Sequence, residues 1–199
     1  MHPFSDRKNI SSEEIQTLPY GSFEGDVHLI DTPAGAERAA HQISKEKILG
    51  FDTETRPAFK RGVVHRVALL QLSTNTQAWL FRLHHTGLPE GLLEILTDPE
   101  IIKCGVAIRD DLKALQKIHQ FQPEGFVELA KLAKENGLEV EGLRKLSAIL
   151  LGIRISKSAQ TTNWETRTLT EKQINYAATD AWVCHNIYNQ LLKKSRQTD

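Results

Sequence analysis

The chain has 199 residues, 40% of them hydrophobic and 25% charged, and its 25 basic side chains are balanced by 25 acidic ones for a formal net charge of zero. That size and mix fit one ordinary globular domain with a full core and leave little room for a second. No apolar run approaches the ~18 residues of a membrane span, MHPFSDRKN has no signal-like apolar stretch, and Cys104 and Cys184 match no metal-ligand or disulfide framework, so a reducing, cytosolic setting with no membrane partner is expected.

In chain order, residues 1–24 read as a polar arm with a short helix, because Ser11 and Glu14 have capping-box spacing ahead of Ile15 and Leu18. VHLID (27–31) reads as a strand, Ala34 to Ile43 as a helix, and ILGFDTET (48–55) as a buried strand. RVALLQLS (66–73) and QAWLF (77–81) are β-rich runs separated by Thr74, Asn75 and Thr76, which predicts antiparallel neighbours and a three-strand meander. A helix is expected near Leu88 to Leu96, with His84 and His85 in a surface loop before it. IIKCGVAI (101–108) reads as a fourth core strand leading into a helix from about Arg109 to His119. Leu143, Leu146, Ile149 and Leu150 give another helix its apolar face, and a long final helix begins after Leu169, capped by Thr170 with Glu171 first. Strands first, then strand alternating with helix, predict an α/β sandwich around a mixed sheet.

A neutral net charge is unpromising for a nucleic-acid enzyme, since phosphate binding is driven by Lys and Arg. The distribution is more informative. Between Thr55 and Pro89 there is no acid, while Arg56, Lys60, Arg61, Arg66 and Arg82 fall there; between Gly142 and Trp164 the acids are again absent, with Arg144, Lys145, Arg154 and Lys157 present. This pattern fits a segregated basic surface and fits chance and strand composition equally.

Asp52 and Glu54 are two apart on a strand, so their carboxylates share a face. Like charges near a core face need a cation, a proton or hydrogen bonds, although an Asp-x-Glu at a strand end is often simply solvated. In GVAIRDDLKAL (105–115), Ile108, Leu112 and Leu115 form the helical stripe; Asp111 sits on its side, whereas Asp110 is turned outward as an ordinary first-turn acid. In INYAATDAW (174–182), Tyr176 and Asp180 lie one turn apart, and Val183 and Ile187 continue the stripe. A carboxylate there fits either a ligand or the acceptor of a tyrosine hydrogen bond.

Taken together, FDTET, GVAIRDDLKAL and NWETRTLTEKQINYAATDAW resemble the three motifs of the DEDD superfamily of 3′→5′ exonucleases, in the subclass with tyrosine in the third motif, which includes the exonuclease domains of the Werner-syndrome protein and ribonuclease D. The likeness runs from about Gly50 to Tyr188. It implies a single ribonuclease-H-like domain at 25–195, a mixed sheet flanked by helices, with residues 196–199 as a tail. It further implies that Asp52, Glu54, Asp111 and Asp180 hold two divalent ions, Mg²⁺ or Mn²⁺, and that Tyr176 orients the attacking water. An all-carboxylate set suits such hard ions. Asn175 precedes Tyr176, so the histidine form of the third motif is absent and base duty falls to the metal-activated water assisted by Tyr176.

Arg56, Phe59, Lys60 and Arg61 follow the first motif and fit contacts to the substrate strand, or a solvated loop; Lys157 and Arg154 fit a basic rim before Trp164, which itself reads as packing beneath the final helix. The partner expected is nucleic acid with a free 3′ end, single-stranded, recessed or mismatched, with DNA favoured. An RNA-trimming enzyme of the ribonuclease D type and a non-catalytic binding module are the alternatives. No protein partner is readable.

Overall fold

A computed structural model of the chain describes residues 2–58, 62 and 65–198. Thirteen of its elements precede one long helix: α1 (Ser12–Gln16), β1 (Asp26–Ile30), α2 (Pro33–Ile43), β2 (Ile48–Thr55), β3 (Val67–Ser73), β4 (Gln77–Arg82), α3 (Leu83–Thr86), α4 (Glu90–Thr97), β5 (Ile102–Gly105), α5 (Ile108–Gln116), β6 (Phe126–Glu128), α6 (Leu129–Glu135), α7 (Leu143–Leu151) and finally α8 (Glu171–Thr198). The strands form one mixed sheet in the order β1-β4-β3-β2-β5-β6. The meander β2-β3-β4 is antiparallel, as its turn residues predict, while β1 joins β4, and β5 and β6 extend β2, all in parallel.

Alternation along β2 divides the molecule. Leu49 and Phe51 point into the core shared with α2, α4 and α5, where Ile43, Leu72, Phe81, Leu92 and Leu115 are fully buried. Gly50, Asp52 and Glu54 take the other parity and so face α8. On that side Ile10, Ile15 and Leu18 of the arm pack with α7 and α8 through Leu146, Val183, Ile187 and Leu191. The arm's helix carries the expected capping box, Glu14 N–H donating to Ser11 Oγ at 3.1 Å and Ser11 N–H to Glu14 Oε2 at 2.9 Å.

Several expectations need correction. The sheet has six strands, because β6 adds a further strand parallel to β5 that has only three residues and no readable alternation. The strand expected over 101–108 ends at Gly105, since Ala107 turns the chain into a left-handed conformation (φ 59°) and α5 starts at Ile108. His84 and His85 lie in the turn of helix α3 rather than in a loop. Arg82 is buried: its guanidinium donates to the carbonyls of Arg167 (2.7 Å) and Thr166, so it anchors the loop before α8 and is lost to any basic surface. No described helix is long and apolar enough to cross a membrane.

Candidate active site

The middle of β2 and the third turn of α8 meet because one residue of the strand has no side chain. A Cβ on Gly50 would sit 1.8 Å from the Ala181 carbonyl oxygen, so only glycine lets the helix backbone lie directly on the strand. Two residues on, Asp52 then faces Asp180, the neighbour of Ala181. The start of α8 is fixed by reciprocal caps, Thr170 N–H to Gln173 Oε1 (3.0 Å) and Gln173 N–H to Thr170 Oγ1 (3.3 Å). The Gln173 amide also donates to Thr162 Oγ1 and the Asn163 carbonyl, which ties the Trp164 loop to the helix. Trp164 is fully buried as expected, its ring 6.0 Å from that of Tyr176.

Asp52, Glu54 and Asp180 each present a carboxylate oxygen within 4.8 Å of the other two. Among the described residues, Asp111 stands outside that trio, although its charge acts on both Asp52 and Glu54. It is held by Thr53, whose hydroxyl donates to Asp111 Oδ1, while the Thr53 N–H donates to Asp52 Oδ1 at 2.9 Å. Asp110 projects into solvent toward Lys113, 3.4 Å away, as read from the sequence.

None of the four acids has an ion-pair partner among the described residues. Burial, then the charges of Asp180 and Asp111, hold Asp52 well above the usual carboxylate range. Burial and the charges of Asp52, Asp180 and Asp111 push Glu54 up to about 9. Asp180 is raised to about 7 by burial, against the opposing hydrogen bond from the Tyr176 hydroxyl, and Asp111 to about 6, mainly by burial. The phenol of Tyr176 is itself raised, by burial and then by Asp180 and Glu54, so it stays a donor. Such a cluster keeps protons unless a cation replaces them. Oxygen donors that converge without a basic partner fit a metal ion.

Asp52, Glu54 and Asp180, but not Asp111, line a cavity of about 340 Å³ together with Arg144, Lys157 and Gln160. Lys157 thus lines the same cavity as Asp52, Glu54 and Asp180. Arg56 does not line this cavity; it reaches Glu165 at 3.6 Å, an exposed pair. Phe59, Lys60 and Arg61 lie outside the described residues. Arg154 is committed to the arm, with its guanidinium 3.9 Å from the centre of the Tyr20 ring.

Two positioning groups went unread in the sequence. Thr53 is one, hidden inside FDTET between the acids. The other is Glu128, which accepts from the N–H groups of Ala107 and Ile108 (both 3.0 Å) and of Ala130 (3.2 Å), capping α5 and α6 together. Nothing in GFVELAK marks a glutamate as a double cap.

Residues 27–196 match a family described as 3′-5′ exonuclease. The chain is 33% identical over 184 residues to the bifunctional 3′-5′ exonuclease/ATP-dependent helicase WRN of Mus musculus, an overlap covering 87% of this chain and 13% of that protein. It is 38% identical over 151 residues to exonuclease 3′-5′ domain-containing protein 2 of Drosophila melanogaster, covering 74% of this chain and 26% of that one. The chain thus spans a small part of the length of these relatives. Among solved structures it superposes on the Nibbler EXO domain of Aedes aegypti with a TM-score of 0.81 at 22% identity, covering 90% of this chain and 94% of that one. On Escherichia coli RNase D, described as an exoribonuclease involved in structured RNA processing, the TM-score is 0.78 at 24% identity, covering 87% of this chain and 46% of that one. At these identities the likeness speaks for the fold, which is ribonuclease-H-like.

Proposed function

The chain belongs to the 3′-5′ exonuclease family, and from that premise we propose that it hydrolyses the terminal phosphodiester of a nucleic-acid strand, releasing nucleoside 5′-monophosphates from the 3′ end. The observation that carries this reading is the trio Asp52, Glu54 and Asp180, gathered within 4.8 Å with no basic partner. In this reading Asp52, Glu54 and Asp180, with Asp111 moving against them from α5, hold two ions, Mg²⁺ or Mn²⁺. Bound ions would activate water and stabilise the charge on the leaving 3′ oxygen.

The protein's own groups do the rest. Asp180 keeps the Tyr176 hydroxyl oriented at the cavity wall, where it positions the water for attack. Thr53 fixes Asp52 and Asp111 relative to each other through one residue. Lys157 and Arg144 at the rim meet the phosphates behind the terminal one. A paired end must fray to reach the acids, so single-stranded, recessed or mismatched 3′ ends are the preferred substrates.

DNA is the favoured strand, supported by the 33% likeness to a protein that joins an exonuclease to a helicase. RNA is the second reading, supported by the likeness of fold to E. coli RNase D. A time course on 5′-labelled DNA and RNA oligonucleotides with Mg²⁺ or Mn²⁺ tests both. One-nucleotide shortening from the 3′ end, faster on DNA, is expected; initial internal cuts, or no metal-dependent cleavage of either, would overturn the reading.

A further inference from the structure

The acid-floored cavity has a neighbour. A second one, of about 270 Å³, shares Ser156, Tyr176 and Asp180 with it and adds Tyr20, Lys172 and Asn175. Among the described residues Tyr20 is the most exposed large apolar side chain, at 66%. Exposed aromatics are usually loosely held; this one is clamped. Arg154 N–H donates to the Pro19 carbonyl (2.9 Å) and Gly21 N–H to the Arg154 carbonyl (3.0 Å), so the arm on either side of Tyr20 is stitched to the segment before the Trp164 loop. The Arg154 guanidinium, anchored by its bond to Gln16 Oε1 at 3.0 Å, lies 3.9 Å from the ring centre. Gly21 seals the junction, since a Cβ there would meet Ile153 Cδ1 at 2.3 Å.

One face of the ring is therefore backed by a cation, and the ring remains open at the cavity. Proteins hold single strands with such fixed aromatic faces, because every base has a π-face to stack, and a stacked arginine adds to the attraction. Lys172 and Asn175, both exposed on the first turns of α8, offer a charge for phosphate and an amide for sugar or base beside it. We propose that this second cavity is a nucleobase subsite for the substrate strand, in which Tyr20 stacks on one base close to the scissile bond. The proposal rests on the exonuclease reading. Tyr20 also precedes residues 27–196, so this platform is supplied by the arm and not by the part of the chain that matches the family.

The test combines Tyr20 variants with a set of single-stranded oligonucleotides carrying one abasic residue at successive positions from the 3′ end. Tyr20→Leu, which keeps bulk but loses the ring face, should raise KM by ~10-fold, within the range for one lost base stack, with the loss falling on KM rather than kcat. Tyr20→Phe and Tyr20→Trp should restore KM. One abasic position should weaken the parent protein by a similar factor and add nothing in Tyr20→Leu, the non-additivity of two groups in contact. Unchanged KM in Tyr20→Leu, equal losses in Leu, Phe and Trp variants, or abasic penalties that carry over undiminished would each overturn the subsite. Fluorescence anisotropy in EDTA separates the two readings. Tyr20-dependent binding by a protein that never cuts would support the subsite and sink the hydrolytic reading, whereas cutting with a Tyr20-independent KM would sink the subsite alone.

Discussion

Helix α8 brings Asp180 to the cluster through a backbone contact that admits no side chain, with the Gly50 site 1.8 Å from the Ala181 carbonyl for any added Cβ. Helix α5 brings Asp111 by hydrogen bonds: Thr53 holds the carboxylate itself, and Glu128 holds the strained turn at Ala107 (φ 59°) from which the helix starts. Close packing fixes an atom's place because interiors do not give. A hydrogen-bonded cap is softer, and it can be traded for another partner. The trio is already assembled, and the fourth acid stands just outside it.

The largest effect expected from breaking this arrangement is on catalysis. Asp52→Asn or Asp180→Asn should leave a folded protein whose kcat falls by at least ~10³, the scale for losing an electrostatic contribution of several kcal/mol; near-normal turnover in steady-state assays would refute the assignment of the trio. Next comes pH. Glu54 at about 9, Asp180 at about 7 and Asp111 at about 6 all lie above their unfolded values of 4.5, 3.8 and 3.8, so the native state binds more protons than the unfolded one over that interval. This contribution to the stability of the metal-free protein is then complete below the unfolded values and is lost progressively as pH rises from there through the folded values of about 6, 7 and 9. In EDTA the Tm should fall by several degrees across this window, and Mn²⁺ or Mg²⁺ should reverse the fall most at its alkaline end. A flat or rising profile in EDTA would contradict the electrostatic account of the cluster.

Two smaller effects separate the two helices. Gly50→Ala must push α8 away from β2, and overpacking of this kind costs ~1–3 kcal/mol; denaturant unfolding should show that loss together with a drop in activity, since Asp180 travels with the backbone. Glu128→Ala strips three N–H groups of their acceptor. It should cost ~1–2 kcal/mol, as cap removals do, and raise the metal concentration for half-maximal activity by ~10-fold, as with residues that support a ligand from behind. Adding Ala107→Gly should recover part of the stability, because a left-handed residue other than glycine costs ~1–2 kcal/mol. A stability loss in Glu128→Ala with an unmoved metal requirement would reduce Glu128 to a structural cap.

What the sequence could convey follows the same division. Strand β2 was readable to its ends, and the Asp52–Glu54 and Tyr176–Asp180 spacings were readable as shared faces, because those relations are local and periodic. The caps at Ser11 and Thr170 were readable for the same reason. Gly50 was not, because its need for a missing side chain comes from Ala181, far along the chain. Arg82 looked like surface charge, and only the carbonyls of Thr166 and Arg167 explain its burial. Strand β6 is too short to show a period, and with it went Glu128.

The placement of α8 also bears on how the molecule comes to exist in time. This helix touches β1, β2, β3, β4 and β5 on one side and, through Val183, Ile187 and Leu191, shares a core with the arm at the opposite end of the sequence. During synthesis the sheet emerges first, with its α8-facing side bare, and the arm has no core to join until the helix follows it out. Folding that waits on contacts between distant segments is slow and leaves apolar surface exposed in the interval. Until then the strand bearing Asp52 and Glu54 lies apart from Asp180, so the nascent chain cannot assemble its acidic cluster before the ribosome has passed the codons for α8.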